Sequence, residues 1–208
     1  FEHWAPEATA SWKDQLPASA GGGVVFDLGS HLVDQALLLF GPASKIESRL
    51  RTVRSGGGND DHAEIFLAHD SGVHSRLFMS RMSLAPGPRF RVLGTKGSYI
   101  SHGLDPQELS LAGGGLPTDE DFGQRLPEEF GTLVVDSAEG PIESRVPMLR
   151  GNYGLFYREV AVAVRGEAEG PVSLSQAIDV VAVLEQATAA PTGDIPINPI
   201  TQPQGREK

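Results

Sequence analysis

The 208-residue chain has no cysteine. That absence excludes disulfide staples, thiolate nucleophiles and Cys-based zinc sites together, and it fits a reducing, cytoplasmic compartment. No apolar run approaches the roughly 20 residues that cross a bilayer as a helix, and no charged-then-apolar leader opens the chain. Positive charge is in deficit: 17 Lys and Arg stand against 27 Asp and Glu, a formal net charge of -10. Such a surface repels phosphate backbones and anionic lipids, so neither nucleic acid nor membrane is expected as a partner. Internal repeats and long blocks of one charge are also missing.

What remains is ordinary for a globular protein, with 39% hydrophobic and 21% charged residues. The length suits one domain or at most two small ones. Residues 1 to 20 read as an irregular lead-in that packs by Trp4 and Trp12. Gly21, Gly22 and Gly23 then break the chain, and a helical pattern runs from about Val24 to Phe40. Leu28, Leu32, Ala36 and Leu39 recur at three- and four-residue steps on one helix face, and Gly41-Pro42 stops the helix. Strands follow over Lys45 to Arg54, His62 to His69 and Val73 to Met82, the last two joined by the hairpin turn Asp70-Ser71-Gly72. Arg89 to Gly94 and Ser98 to Ser101 flank a second hairpin. Residues 102 to 130 form a long excursion with one short helix, and Thr132 to Asp136 and Ile142 to Val146 make another strand pair. Asn152 caps a helix to about Val164. Ser173 and Gln176 form a capping box opening a last helix to about Ala189, which Pro191 ends. The fold class is α+β: an open mixed, largely antiparallel β-sheet with helices packed on one face. The domain covers 1 to 190, followed by a Pro-rich extended tail over 191 to 208.

The sharpest constellation is Gly21-Gly22-Gly23-Val24-Val25-Phe26-Asp27-Leu28-Gly29-Ser30-His31-Leu32-Val33-Asp34. On a regular helix Asp27, His31 and Asp34 share one side. There the Asp27 carboxylate can meet the His31 imidazole, a pairing suited to proton transfer. The glycines would let backbone approach a ligand near the helix start. The same spacing also fits a surface or capping pair, and His31 with Asp34 and Asp27 could instead ligate a divalent ion, as in a metal-dependent hydrolase.

This run resembles the GGGxxxDxGxHxxD segment that opens the C-terminal domain of Gfo/Idh/MocA oxidoreductases. Other stretches follow in the family's order. Asn59-Asp60-Asp61 precedes a strand. Pro88-Arg89-Phe90 leads into Val92-Leu93-Gly94-Thr95-Lys96-Gly97-Ser98. Asp105-Pro106-Gln107-Glu108 looks like the DPQE of one bacterial subgroup. Gly151-Asn152-Tyr153 with Phe156-Tyr157 and Pro171-Val172 complete the series.

The resemblance implies a glyceraldehyde-3-phosphate-dehydrogenase-like domain that carries the substrate side of an NAD(P)-dependent oxidoreductase. It implies hydride transfer between a nicotinamide and a sugar, polyol or related alcohol. NAD or NADP and a catalytic Lys would belong to an N-terminal Rossmann domain absent from this chain. Asp27 and His31 would be catalytic, His31 as acid/base and Asp27 binding substrate hydroxyls or orienting His31. Trp12, Arg89, Tyr153 and Tyr157 are the candidate substrate contacts, although the tyrosines also suit core packing. Arg76 and Arg81 would face solvent or a partner subunit, and His62, His69, His74 and His102 would lie on the surface. The open sheet face would form a homo-oligomer, and a non-catalytic dimerisation or binding domain is the alternative role. One departure is decisive: no GxGxxG follows a strand, and no Glu-Lys-Pro is present. With Phe1 at the start, the expectation is a fragment of a larger enzyme, catalytically silent alone.

Overall fold

A computed structural model describes residues 1–189. The Pro-rich tail expected over 191 to 208, and the Pro191 stop, lie outside the described residues. The chain divides into two compact units. One holds His3–Met82 and the residues from Asp179 on; the other holds Phe1–Glu2 and Ser83–Ile178.

The first unit opens with a short helix α1 (Trp12–Gln15), capped by the Ser11 side chain. A 3-10 turn at Ala18–Ala20 and a wide π-helical turn at Val25–Gly29 lead into α2 (Ser30–Phe40). Three strands follow: β1 (Ala43–Arg51), β2 (His62–His69) and β3 (His74–Ser80), paired antiparallel in sequence order. Ser48, Ile65 and Leu77 share one row, and Leu50, Ala63 and Met79 the next. Ala63, Ile65, Leu67, Leu77 and Met79 are buried on that face. The cover comes from Val24 and Val25, from Leu32, Val33 and Ala36 of α2, and from Val183, Leu184 and Ala187 of α5 (Leu174–Ala189). A Cβ at Gly29 would sit 3.2 Å from the Met79 sulfur and 3.3 Å from a Leu184 methyl, which is why the turn crosses the sheet at a glycine. The Ser48 hydroxyl donates to the Ala187 carbonyl at 2.6 Å, satisfying a polar group inside this core.

Two expectations need correcting here. Leu39 is 57% exposed, because the end of α2 is anchored by Phe40 set edge-on to the His69 ring at 5.6 Å. His69 is buried, not on the surface: its Nδ1 meets the Gly41 carbonyl at 2.7 Å and its Nε2 meets the Ser75 hydroxyl at 2.8 Å. The opposite face of the sheet carries Glu64 between Arg76 and Arg49, with Arg49 over Phe66 and Arg76 over Phe78.

The second unit is a four-stranded antiparallel meander, β4 (Phe90–Gly94), β5 (Gly97–Ser101), β6 (Gly131–Val135) and β7 (Ile142–Val146). All pairings between named strands of both sheets are antiparallel. The excursion between β5 and β6 carries α3 (Pro106–Ala112), capped by Asp105. Here the Asp-Pro-Gln-Glu stretch gains a physical role. The buried Gln107 side chain donates to Asp105 at 3.1 Å and accepts from the Tyr153 amide at 2.9 Å. It thereby fixes the start of α4 (Tyr153–Val164), which Asn152 caps as expected. Arg150 holds the excursion through the carbonyls of Phe122, Glu120 and Asp119. The Ser173–Gln176 capping box is present in both directions, at 2.8 and 3.2 Å.

His69→Leu should lower unfolding free energy by about 1–3 kcal/mol, since it strands the Gly41 carbonyl and Ser75 hydroxyl beside an apolar group. The midpoint of urea denaturation of the domain checks this.

Candidate active site

The glycine run, α1 and the loop before β2 are one interlocked structure. Gly22 and Gly23 pass so close to the residues around Asn59 and Asp60 that neither tolerates a side chain. A Cβ at Gly22 would collide with the Leu16 carbonyl and the Asn59 amide, and one at Gly23, where φ is +93°, with the Asp60 carboxylate. The close approach expected for a ligand is thus made by the protein's own loop. Asn59 donates to the Lys13 and Leu16 carbonyls at 2.9 and 2.7 Å. The Asp60 backbone carbonyl accepts from Val24 at 2.8 Å, and its carboxylate accepts from the Val25 amide at 2.9 Å. Burial raises the Asp60 carboxyl above its ordinary range, and the backbone N–H groups around it offset part of that rise.

Asp27 sits within the π turn, not in regular α-helix. That turn directly precedes α2, on which His31 lies. One carboxylate oxygen meets the Lys13 ammonium; the other accepts from Arg81 Nη2 at 2.6 Å. Arg81, expected to face solvent or a partner subunit, instead meets Asp27 with its side chain 13% exposed. His31 and Asp34 are exposed on α2. Asp27 being engaged by two cations, the metal-site alternative loses a ligand, and among the described residues no three His, Asp or Glu groups converge on one point.

Behind Asp27 lies a chain of alternating charges. Arg81 Nη1 stands 3.9 Å from Asp14 Oδ1. The same Asp14 oxygen accepts from Arg54 Nη2 at 2.7 Å, and Arg54 Nε donates to Asp61 at 3.1 Å. Exposure of the side chains rises along this chain from 0% at Asp61 and 1% at Arg54 to 42% at Lys13, so its inner end is dry and its outer end is wet. Asp61 also accepts from the Val53 and Arg54 amides, and Arg54 reaches the Glu7 carbonyl at 3.1 Å. Burial alone would raise the Asp14 carboxyl, but hydrogen bonds from Arg54 and Thr9 outweigh it and hold the group well below the usual carboxylate range. Sequence reasoning missed Lys13, Asp14, Arg54 and Asp60 as a group. The only signal was three adjacent polar residues, Asn59-Asp60-Asp61, in a loop that needed just one.

The other candidates are distributed. Trp12 adjoins this cluster, with the Lys13 ammonium 5.9 Å from its ring centroid. Trp12 is 56% exposed and Trp4 47%, so neither is a buried packing anchor. Arg89, Tyr153 and Tyr157 belong to the four-stranded unit. Arg89 stacks over Phe1 and Phe90 at 4.0 and 5.4 Å. Tyr153 is 41% and Tyr157 71% exposed, so neither is core packing. Burial, reinforced by the Asp105 and Glu108 carboxylates, raises the Tyr153 phenol.

An α+β domain whose glycine run delivers Asp27 and His31 to one helix start matches a known family along nearly its full length. The chain belongs to the oxidoreductase family C-terminal alpha/beta domain, whose family model matches residues 1–197. Its relatives include scyllo-inositol 2-dehydrogenase (NADP(+)) IolW of Bacillus subtilis, 29% identical over 90% of this chain and 51% of that protein. The uncharacterized oxidoreductase YdgJ of Escherichia coli is 32% identical over 89% of this chain and 52% of its own length. A crystal structure of an oxidoreductase from Bacillus cereus superposes with a TM-score of 0.81 at 27% identity, covering 93% of this chain and 55% of that one. The chain spans about half the length of the curated relatives it matches.

Removing one member of a buried ion chain leaves its partners uncompensated, so Arg54→Leu should destabilise by about 3–5 kcal/mol in thermal or urea unfolding. The Asp14 carboxyl, held below its ordinary 3.8, contributes stability that is complete above that value and is lost as pH falls through the depressed one. Unfolding free energy followed downward from pH 5 should therefore drop in wild type, and Asp14→Asn should remove part of that acid dependence while being less stable at neutral pH.

Proposed function

We propose that this chain is the substrate-side half of an NAD(P)-dependent oxidoreductase acting on a sugar, polyol or related alcohol. The observation that carries this reading is the Asp27 carboxylate, fixed by Lys13 and Arg81 at the start of the helix that bears exposed His31. IolW, whose name gives it an inositol substrate and NADP(+), supports the substrate and cofactor class.

The described residues do not fit a dinucleotide. Both sheets are antiparallel, and no parallel strand–turn–helix crossover presents a glycine-rich turn to a pyrophosphate. The nicotinamide would be held by a part of the protein outside this chain, and it would exchange the hydride. What this chain's residues would manage is the alcohol's proton and position. Asp27, held rigidly by two cations, offers acceptor lone pairs to a substrate hydroxyl. Histidine exchanges a proton near neutral pH, and His31, in contact with solvent, is placed to take the hydroxyl proton and release it. Trp12, whose ring lies 5.9 Å from the Lys13 ammonium, offers an apolar surface in the same unit.

A second role is supported by the four-stranded sheet. Phe90, Val92, Tyr99, Leu133, Val135, Ile142 and Val146 fall on one face by register, yet none is fully buried. A second copy of the chain would cover them, making this face a homo-oligomer interface. No described helix is long and apolar enough to cross a membrane.

In the full-length protein, His31→Ala and Asp27→Asn should each lower turnover by about 10²–10⁴-fold with the fold intact. Steady-state kinetics with NAD(P) and inositol-type polyols, alongside circular dichroism, checks this, and undiminished turnover would rule out the assigned roles. Sedimentation of wild type should give a dimer or larger species, and Val92→Lys with Ile142→Lys should shift it toward monomer.

A further inference from the structure

We infer that Asp60 is a positioning residue for Asp27, an inference that rests on reading Asp27 as catalytic. The start of a helix leaves several backbone N–H groups without partners, and the usual remedy is a capping side chain just ahead of it. At the π turn no such local cap exists: the Val24 side chain makes no capping hydrogen bond. The partners come instead from 35 residues downstream. Asp60 takes the Val24 N–H on its main-chain carbonyl and the Val25 N–H on its carboxylate. Two residues further on stands Asp27, whose own N–H closes onto the Gly23 carbonyl at 3.1 Å.

The neighbouring Asn59 completes the device on the other side of the ion pair. Its amide holds the Lys13 carbonyl at 2.9 Å, the carbonyl that also receives the Gly23 N–H at 2.9 Å. The backbones of Lys13 and of the Asp27 turn are thus both referenced to two adjacent loop residues. The collision awaiting a side chain at Gly23 comes from the same Asp60 carboxylate, and one at Gly22 would meet the Leu16 carbonyl and the Asn59 amide. The glycine run and the Asn-Asp pair are therefore complementary halves of one joint. Asp60 is buried and faces the turn from behind, so it acts through Asp27 and not on substrate.

The test uses the full-length protein with Asp60→Ala, Asp60→Asn and Asp27→Asn. Deuterium exchange is followed on a peptide spanning Gly23–Asp27 and on one within β2. Loss of the carboxylate bond should speed exchange at the turn by about tenfold in Asp60→Ala while the β2 peptide is unchanged. Turnover should fall by roughly 10–100-fold with little change in KM for NAD(P), as expected when a reacting group is displaced by about 1 Å. Asp60→Asn keeps an oxygen acceptor for Val25 and should recover most of that loss. Equal acceleration of both peptides would make Asp60 a general stability residue and overturn the inference. So would unchanged exchange at the turn, or unchanged turnover in Asp60→Ala where Asp27→Asn is inactive. Full turnover in Asp27→Asn would instead refute the catalytic reading of Asp27, and the exchange comparison alone would then decide whether Asp60 positions the turn.

Discussion

The buried guanidinium of Arg54 is the constraint on which the candidate site depends. A cation with 1% side-chain exposure is tolerable only if every charge and donor it brings inside is answered. Asp14 and Asp61 supply the charge, and the Ala5 and Glu7 carbonyls accept from Nη1. Each partner comes from a different part of the chain. Meeting the demands of one side chain therefore joins the opening segment, α1, the end of β1 and the loop into β2. Desolvation of such a group costs several kcal/mol, so the net gain in stability is modest; what the arrangement enforces is geometry. Any alternative placement of α1 would leave Arg54 or Asp14 buried without a counter-ion.

Asp27 inherits that geometry through Arg81, which stands between it and Asp14. The result is a carboxylate that is partly exposed, at 15%, yet attached to a dry and rigid interior. This is a physical solution to a common difficulty of sites on helix starts, where fraying and side-chain rotation blur position. Here rotation is limited by one cation on each oxygen, and fraying by the Asp60 carbonyl and carboxylate. The π turn fits the same logic. It spends the regular hydrogen-bonding of one helical turn to place Asp27 where both cations reach it, and such turns recur at functional positions for that reason.

Much of this was legible in the sequence, and the parts that were not share a cause. The approximate spans of β1 to β3, the hairpin at Asp70-Ser71-Gly72 and the Ser173–Gln176 capping box are written in local spacing, so they could be read directly. The resemblance in the Gly21 to Asp34 run gave the family and singled out Asp27 and His31. Local spacing also fell short: it gave an unbroken helix from about Val24, and nothing within that window signals the wide turn at Val25–Gly29. The acceptors of the Val24 and Val25 amides lie on Asp60, remote in sequence. Likewise His69 and Arg81 read as surface residues on their strands, because the partners that bury them, Gly41 and Ser75 for one and Asp27 for the other, become neighbours only once the sheet is formed.

The two units also differ in how they account for their apolar residues. In the three-stranded unit a single sheet face is closed by the π turn, α2 and α5, and its apolar side chains reach near-zero exposure. In the four-stranded unit Phe122 is the one fully buried apolar side chain among the described residues, and α4 buries none. Its order comes from polar fastenings: Gln107 across Asp105 and Tyr153, and Arg150 across three carbonyls. Hydrogen bonds of this kind fix shape but contribute only about 1 kcal/mol each, too little to stand in for a core. The apolar residues on one face of that sheet, Val92 and Ile142 among them, therefore stay partly or fully exposed. The site-bearing unit, by contrast, has the packing and the buried charges to hold Asp27 in place by itself.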